Sequence, residues 1–186
     1  NAWSALAPLD MWRWWVRDGH RVLQRLASLR QPTIAAVQGL AFGGGLELAM
    51  ATDVRIASAD AAFAMPEVRI GTLPGWGGTQ RLPALIGAAR AKQMIFSGQR
   101  IDAATAERWG LVNEVVPTDA LAARATQLAQ QIAANAPIAV QLAKAAIDHD
   151  VAAHEAFAAA LAAGAEDGRE GMAAFREKRA PQFRGV

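Results

Sequence analysis

The 186-residue sequence contains no cysteine and no tyrosine. Without cysteine there is no disulfide, no thiolate nucleophile, no Cys-ligated zinc and no iron–sulfur cluster. Nucleophilic catalysis by tyrosine is excluded in the same way. Histidine is scarce, at three residues. His149 and His154 lie five apart, so on a helix they diverge by about 140° and do not form a metal-ligand pair. His20 falls on a basic helical face and reads as solvated. An excess of one charge is also lacking: nineteen Lys and Arg face seventeen Asp and Glu, for a net +2. The pI is about 9.7, yet a two-charge excess scattered along the chain is no nucleic-acid footprint. Every apolar run is broken by charge or glycine before the roughly 18 residues a membrane span needs. The opening residues show no basic region or cleavage pattern of a signal peptide. The expected setting is therefore cytoplasmic, with no membrane span and no nucleic-acid partner.

What is present is apolar bulk: 53% of residues are hydrophobic, enough for a packed core. The length suits one core or at most two. Residues Asp10 to Arg30 carry Met11, Trp14, Trp15, Val22, Leu23, Leu26 and Leu29 near helical spacing, with arginines on the other face. The tryptophans Trp12, Trp14 and Trp15 read as packing or subunit-contact residues. Short buried strands are expected at Thr33–Val37, Val54–Ala57, Ala62–Ala64 and Leu111–Val116. Helices are expected from Thr79 onward, from an N-cap at Thr118 to Ala134, from Pro137 to Asp150, from Ala152 to Ala163, and from Gly168 to Arg179. The chain is thus read as α/β, with a core over residues 1–117 and a helical C-terminal region over 118–186.

The most informative stretch runs from Gly39 to Met50, where Gly43-Gly44-Gly45 follows a strand and opens a helical run ending in Glu47-Leu48-Ala49-Met50. Glycine lets a ligand approach the main chain, and the first helical turn presents unpaired N–H groups. A strand–Gly-Gly-Gly–helix unit suits a phosphate or a transient oxyanion. No P-loop motif occurs, and the Gly-x-Gly-x-x-Gly fingerprint fails at Leu48. Glu47 would also place a carboxylate against a phosphate. An oxyanion forming from a carbonyl, with a carboxylate nearby to move a proton, fits better. The plainer alternatives are a tight turn for the glycines and a first-turn glutamate answering its own helix dipole for Glu47.

A second stretch, Met65 to Leu82, holds a lone Glu67, two prolines and Gly75-Trp76-Gly77-Gly78. Glu67 follows Glu47 by 20 residues, enough for the chain to leave through one strand and return to the same face. Two converging carboxylates can divide acid and base roles. The alternatives are a solvated Glu67 after Pro66, and a loop leading into a helix capped by Thr79.

Taken together, Pro-Thr-Ile-Ala-Ala-Val-x-Gly-x-Ala-x-Gly-Gly-Gly-x-Glu-Leu-Ala and Pro-Glu-x-x-x-Gly-x-x-Pro-Gly-x-Gly-Gly-Thr-Gln-Arg-Leu resemble the enoyl-CoA hydratase/isomerase (crotonase) family. The likeness continues through Ser97-Gly98, Ile101, Ala103, Gly110-Leu111-Val112 and Arg169-Glu170-Gly171-Met172-x-Ala174-Phe175. It implies a crotonase-like spiral of repeated β-β-α units with a helical C-terminal trimerisation region. It also implies first strands, and a second oxyanion donor on an Ala-Gly-x-Asp-like loop, that lie before Asn1. The implied activity is hydration of a trans-2-enoyl-CoA to a 3-hydroxyacyl-CoA in fatty-acid or related acyl-CoA degradation. Alternatives are a double-bond isomerase of the same family and a noncatalytic chain that binds CoA.

Residue by residue, the resemblance makes Gly44 an oxyanion N–H donor beside Gly43, and makes Glu47 and Glu67 the pair that holds and activates water. Gly75 would orient that water through its backbone. Trp76 is bulky where smaller residues are common, and is a candidate for shaping the acyl pocket. Phe175 and Lys178 match positions near the CoA adenine and phosphates of a neighbouring subunit; the alternative is an amphipathic helix with a solvated lysine. The chemistry calls for no metal and no cofactor beyond the CoA of the substrate, and the implied assembly is a homotrimer or hexamer.

Overall fold

The computed structural model describes residues 6–149 and 152–186. The side chains of His149 and His154, and all of Asp150, lie outside the described residues. Chain contacts divide the molecule into two units, Asn1–Leu29 with Thr33–Ala125, and Arg30–Pro32 with Thr126–Val186.

In the first unit the expected N-terminal helix is present but composite. An α-helical turn, α1 (Pro8–Asp10), runs into a π-helical Met11–Val16 and then into α2 (Arg17–Ala27). Of the expected apolar stripe only Leu23 is fully buried, while Trp14 and Val22 stay 61% and 60% exposed. The chain then forms β1 (Ile34–Val37), β2 (Leu40–Phe42) and α3 (Gly44–Met50). It repeats the pattern with β3 (Val54–Ser58), β4 (Ala62–Ala64), a 3-10 turn at Glu67–Ile70, α4 (Gly78–Ile86) and α5 (Ala88–Ser97). A third passage gives β5 (Ile101–Asp102), α6 (Ala103–Trp109) and β6 (Glu114–Val116).

The two strands of each passage feed different sheets. One has the order β1-β3-β6, all parallel, and the other β2-β4-β5, with β4 and β5 antiparallel. Val37 pairs with Ala57 in the first and Ala41 with Phe63 in the second. This is the expected alternation of β-β-α units. Asp53 pins the register of β1 and β3, since its Oδ2 accepts the N–H of Thr33 at 2.6 Å and the Thr33 hydroxyl at 2.8 Å. Leu46, Ile56, Phe63, Met65, Leu82 and Met94 have no exposed surface and anchor the core. Arg55 is the buried cation of this unit; its Nε donates to the Leu111 carbonyl and its Nη1 to that of Thr52, each at 2.7 Å. Burial lowers its pKa, partly opposed by Asp53.

Three expectations shift. Leu40–Phe42 and Ile101–Asp102 are strands that went unpredicted, because pieces this short show no period and are fixed by their partners in β4. The strand expected at Leu111–Val116 shortens to Glu114–Val116, because a Schellman turn closes α6, with Leu111 N–H on the Ala106 carbonyl at 2.8 Å. Thr118 does not cap: it opens a 3-10 turn at Thr118–Ala120, and its hydroxyl donates to Asp60 at 2.8 Å. Helix α7 (Leu121–Ala133) follows.

The second unit is helical, with α8 (Pro137–His149), α9 (Ala152–Gly164) and α10 (Glu166–Glu177). Buried Asp167 holds the last residues of the chain against the start of α10, accepting the N–H groups of Arg184 and Gly185, each at 2.7 Å.

Candidate active site

The site grows from the corner between β2 and α3. Gly43 turns that corner at φ 52° and ψ −123°, a region closed to residues with a Cβ. Its N–H donates to the Ala64 carbonyl at 2.9 Å, fixing the corner to β4. A Cβ on Gly43 would lie 2.8 Å from Glu67 Oε1, and one on Gly44 would lie 2.7 Å from the Trp76 ring. Gly44 is the first residue of α3, so its N–H has no acceptor within the helix.

One turn on, Glu47 is only 3% exposed. Its Oε1 accepts the N–H of Trp76 at 2.7 Å and of Gly78 at 2.8 Å. Gly78 is the first residue of α4, so Glu47 serves the N-terminus of a different helix from its own. The alternative reading of a helix capped by Thr79 does not hold: Gly77 starts the helix at φ 107°, and the buried carboxylate supplies the acceptor. Arg81 braces the same loop, its Nη1 donating to the Trp76 carbonyl at 2.9 Å and its Nη2 to Gln24 of α2 at 3.1 Å. Burial lowers the Arg81 pKa and the Glu47 charge opposes the shift.

Glu67 opens the 3-10 turn after Pro66. It is half-buried rather than solvated, and its Oε2 is enclosed without a hydrogen-bond partner among the described residues. Burial pushes its pKa above the ordinary glutamate value, and the nearby Glu47 charge adds to the rise. A bond from its own backbone works in the opposite direction.

These groups face one cavity of about 520 Å³, within the range of small-molecule sites. Gly43, Gly44, Glu47, Glu67, Gly75 and Trp76 all line it. The fold therefore brings together six of the residues singled out in the sequence. Phe175 and Lys178 belong to the second unit: Phe175 on α10 is 83% exposed, and Lys178 ends that helix at φ 54°. Sequence reasoning missed the wall supplied by Met11, Trp15 and Val16. Trp15, read from the sequence as a packing or subunit-contact residue, does pack: its ring centroid lies 5.3 Å from that of Trp76, and its carbonyl accepts the Trp76 indole N–H at 3.0 Å. No local pattern in the sequence marks this wall; in the structure it rides on a π-helical turn, a feature common at functional sites. Among the described residues no group of three or more His, Asp or Glu is placed to hold a metal ion.

The enoyl-CoA hydratase/isomerase family model matches residues 16–186. The chain belongs to that family. It is 49% identical over 168 residues to a short-chain-enoyl-CoA hydratase of Clostridium acetobutylicum, across 87% of this chain and 64% of that protein. It is also 49% identical to the mitochondrial enoyl-CoA hydratase domain-containing protein 2 of Mus musculus, across 88% and 59% of the two chains. The chain thus spans roughly three-fifths of the length of these curated relatives. The crystal structure of an enoyl-CoA hydratase from Bacillus anthracis superposes with a TM-score of 0.93 at 40% identity, covering 98% of this chain and 73% of that one. The crotonase-like fold expected from the motifs is therefore the fold of this chain. No described helix is long and apolar enough to cross a membrane.

Proposed function

We propose that the protein hydrates trans-2-enoyl-CoA thioesters to 3-hydroxyacyl-CoA. The observation that carries this reading is the pairing of two differently held carboxyl groups, Glu47 and Glu67, in one cavity beside the first N–H of α3. Hydration places negative charge on the thioester oxygen, and the Gly44 N–H is the donor assigned to it, worth about 3 kcal/mol of barrier. Glu47, fixed by two N–H bonds at Oε1, holds the water and takes its proton as the oxygen bonds to C3. Glu67, whose burial favours the protonated form, delivers a proton to C2. One proton is gained and one given up, so exchange between the two carboxyls restores the site. No cofactor beyond the CoA of the substrate enters this scheme. Both glutamates being present favours hydration over double-bond isomerisation. The family resemblance carries with it a trimeric or hexameric assembly, which light scattering on the purified protein reads directly.

The test follows loss of the conjugated enoyl thioester absorbance with crotonyl-CoA. Wild type turns over, and Glu47→Gln and Glu67→Gln each lose at least about a hundredfold. Undiminished turnover in both variants overturns the assignment.

A further inference from the structure

We propose that Trp76 is the residue that limits acyl-chain length, confining the site to short 2-enoyl thioesters; this rests on the hydratase reading above. The groups assigned to the reacting carbons, Gly44, Glu47 and Glu67, line the cavity, and the Trp76 ring lies against Gly44. The cavity lining also includes Met11, Trp15, Val16 and Trp76, apolar side chains suited to an alkyl chain, with Arg69 and Thr72 as its further polar members. The Trp76 indole is, with that of Trp15, the largest side chain of that wall, and it is held by contacts from α2, α3 and the π-helical Met11–Val16.

Its ring is wedged between two glycines that leave room for it. A Cβ on Gly44 would lie 2.7 Å from Cζ3, and a Cβ on Gly19 of α2 would overlap the pyrrole edge at Nε1. The indole N–H donates to the Trp15 carbonyl at 3.0 Å, and the two rings meet at 5.3 Å and 45°. The backbone is held as well, its N–H by Glu47 and its carbonyl by Arg81. An acyl chain that needed the space of the indole would have to break the Trp15 bond and push the ring into backbone that carries no Cβ precisely where the ring lies against it. A packed wall of this kind refuses extra methylenes instead of yielding to them.

Alanine at this position keeps the backbone N–H that Glu47 accepts, so its effect falls on the ratio among chain lengths. The experiment measures kcat/KM of the purified protein with crotonyl-, trans-2-hexenoyl- and trans-2-decenoyl-CoA, for wild type, Trp76→Ala and Trp76→Phe. Wild type is expected to lose at least about tenfold from crotonyl to decenoyl, since a single misfit methylene is worth roughly 10–200-fold. Trp76→Ala raises the decenoyl-to-crotonyl ratio at least about tenfold on the same basis, and Trp76→Phe, which keeps a ring without the N–H, falls between. Equal wild-type activity on crotonyl and decenoyl thioesters overturns the proposal. So does an unchanged ratio in the alanine variant. Should that variant not fold, the wild-type profile and the phenylalanine variant decide the matter. A wild type that hydrates none of the three overturns the hydratase reading itself, which is a different result.

Discussion

Gly43 and Gly45 stand two residues apart in the same glycine run, and the structure gives them opposite fates on substitution by alanine. At Gly43 the backbone is at φ 52° and ψ −123°, and holding a side-chain-bearing residue there costs about 1–3 kcal/mol. The new methyl would also lie 2.8 Å from Glu67 Oε1, so the carboxyl must move. Together these terms amount to roughly 2–4 kcal/mol, a Tm lowered by about 5–15 °C for a chain of this size. Turnover of crotonyl-CoA below the transition should fall about a hundredfold, the scale of a 1 Å misplacement of a catalytic group. Gly45 is exposed, lies inside α3 and has nothing within 4 Å of a built Cβ. Gly45→Ala should leave stability unchanged or raise it by up to about 1 kcal/mol of helix propensity, with Tm unchanged or higher. Calorimetry and the absorbance assay on both variants test this. Wild-type melting and turnover in Gly43→Ala would refute the reasoning, as would equal damage from the two substitutions.

Glu47 separates loop anchoring from chemistry. Glu47→Gln keeps an oxygen for the N–H groups of Trp76 and Gly78, so its Tm stays near wild type while turnover collapses. Glu47→Ala orphans both N–H groups, at about 1–3 kcal/mol each, and its Tm falls as well; equal melting of the two variants counts against the anchoring role. Glu67 makes stability pH-dependent in a defined direction. Its pKa is raised in the folded chain above 4.5, so its contribution is intact below that value and is lost as pH rises through the raised one. Glutamine never ionises, so the Tm of Glu67→Gln relative to wild type should climb from pH 4 to pH 8, and a flat difference between the two melting curves speaks against the burial of this carboxyl.

Much of the site was legible because its requirements are local. A strand running into three glycines and a helix announces a corner that side chains cannot turn, and Gly43 turns it. Glu47 and Glu67 stood out as carboxylates placed where the chain was bound to return. The strand at Leu40–Phe42 was not legible, since three residues show no period and their order comes from pairing with Ala62–Ala64. Nor was the capping of α4: Thr79 is a good capping residue by type, but a carboxylate 31 residues from Gly78 holds that N–H instead.

By itself the sequence determined the α/β class, the glycine corner before α3, the two glutamates and the family, because each depends on backbone sterics or on residue types at fixed spacing. Only the tertiary structure decided what Glu47 anchors, that Glu67 has an enclosed oxygen with no partner among the described residues, and that Trp15, 61 residues from Trp76, joins the wall of the cavity. Hydrogen-bond partners and burial are set by residues remote in the chain, and spacing along a sequence carries no record of which of them meet.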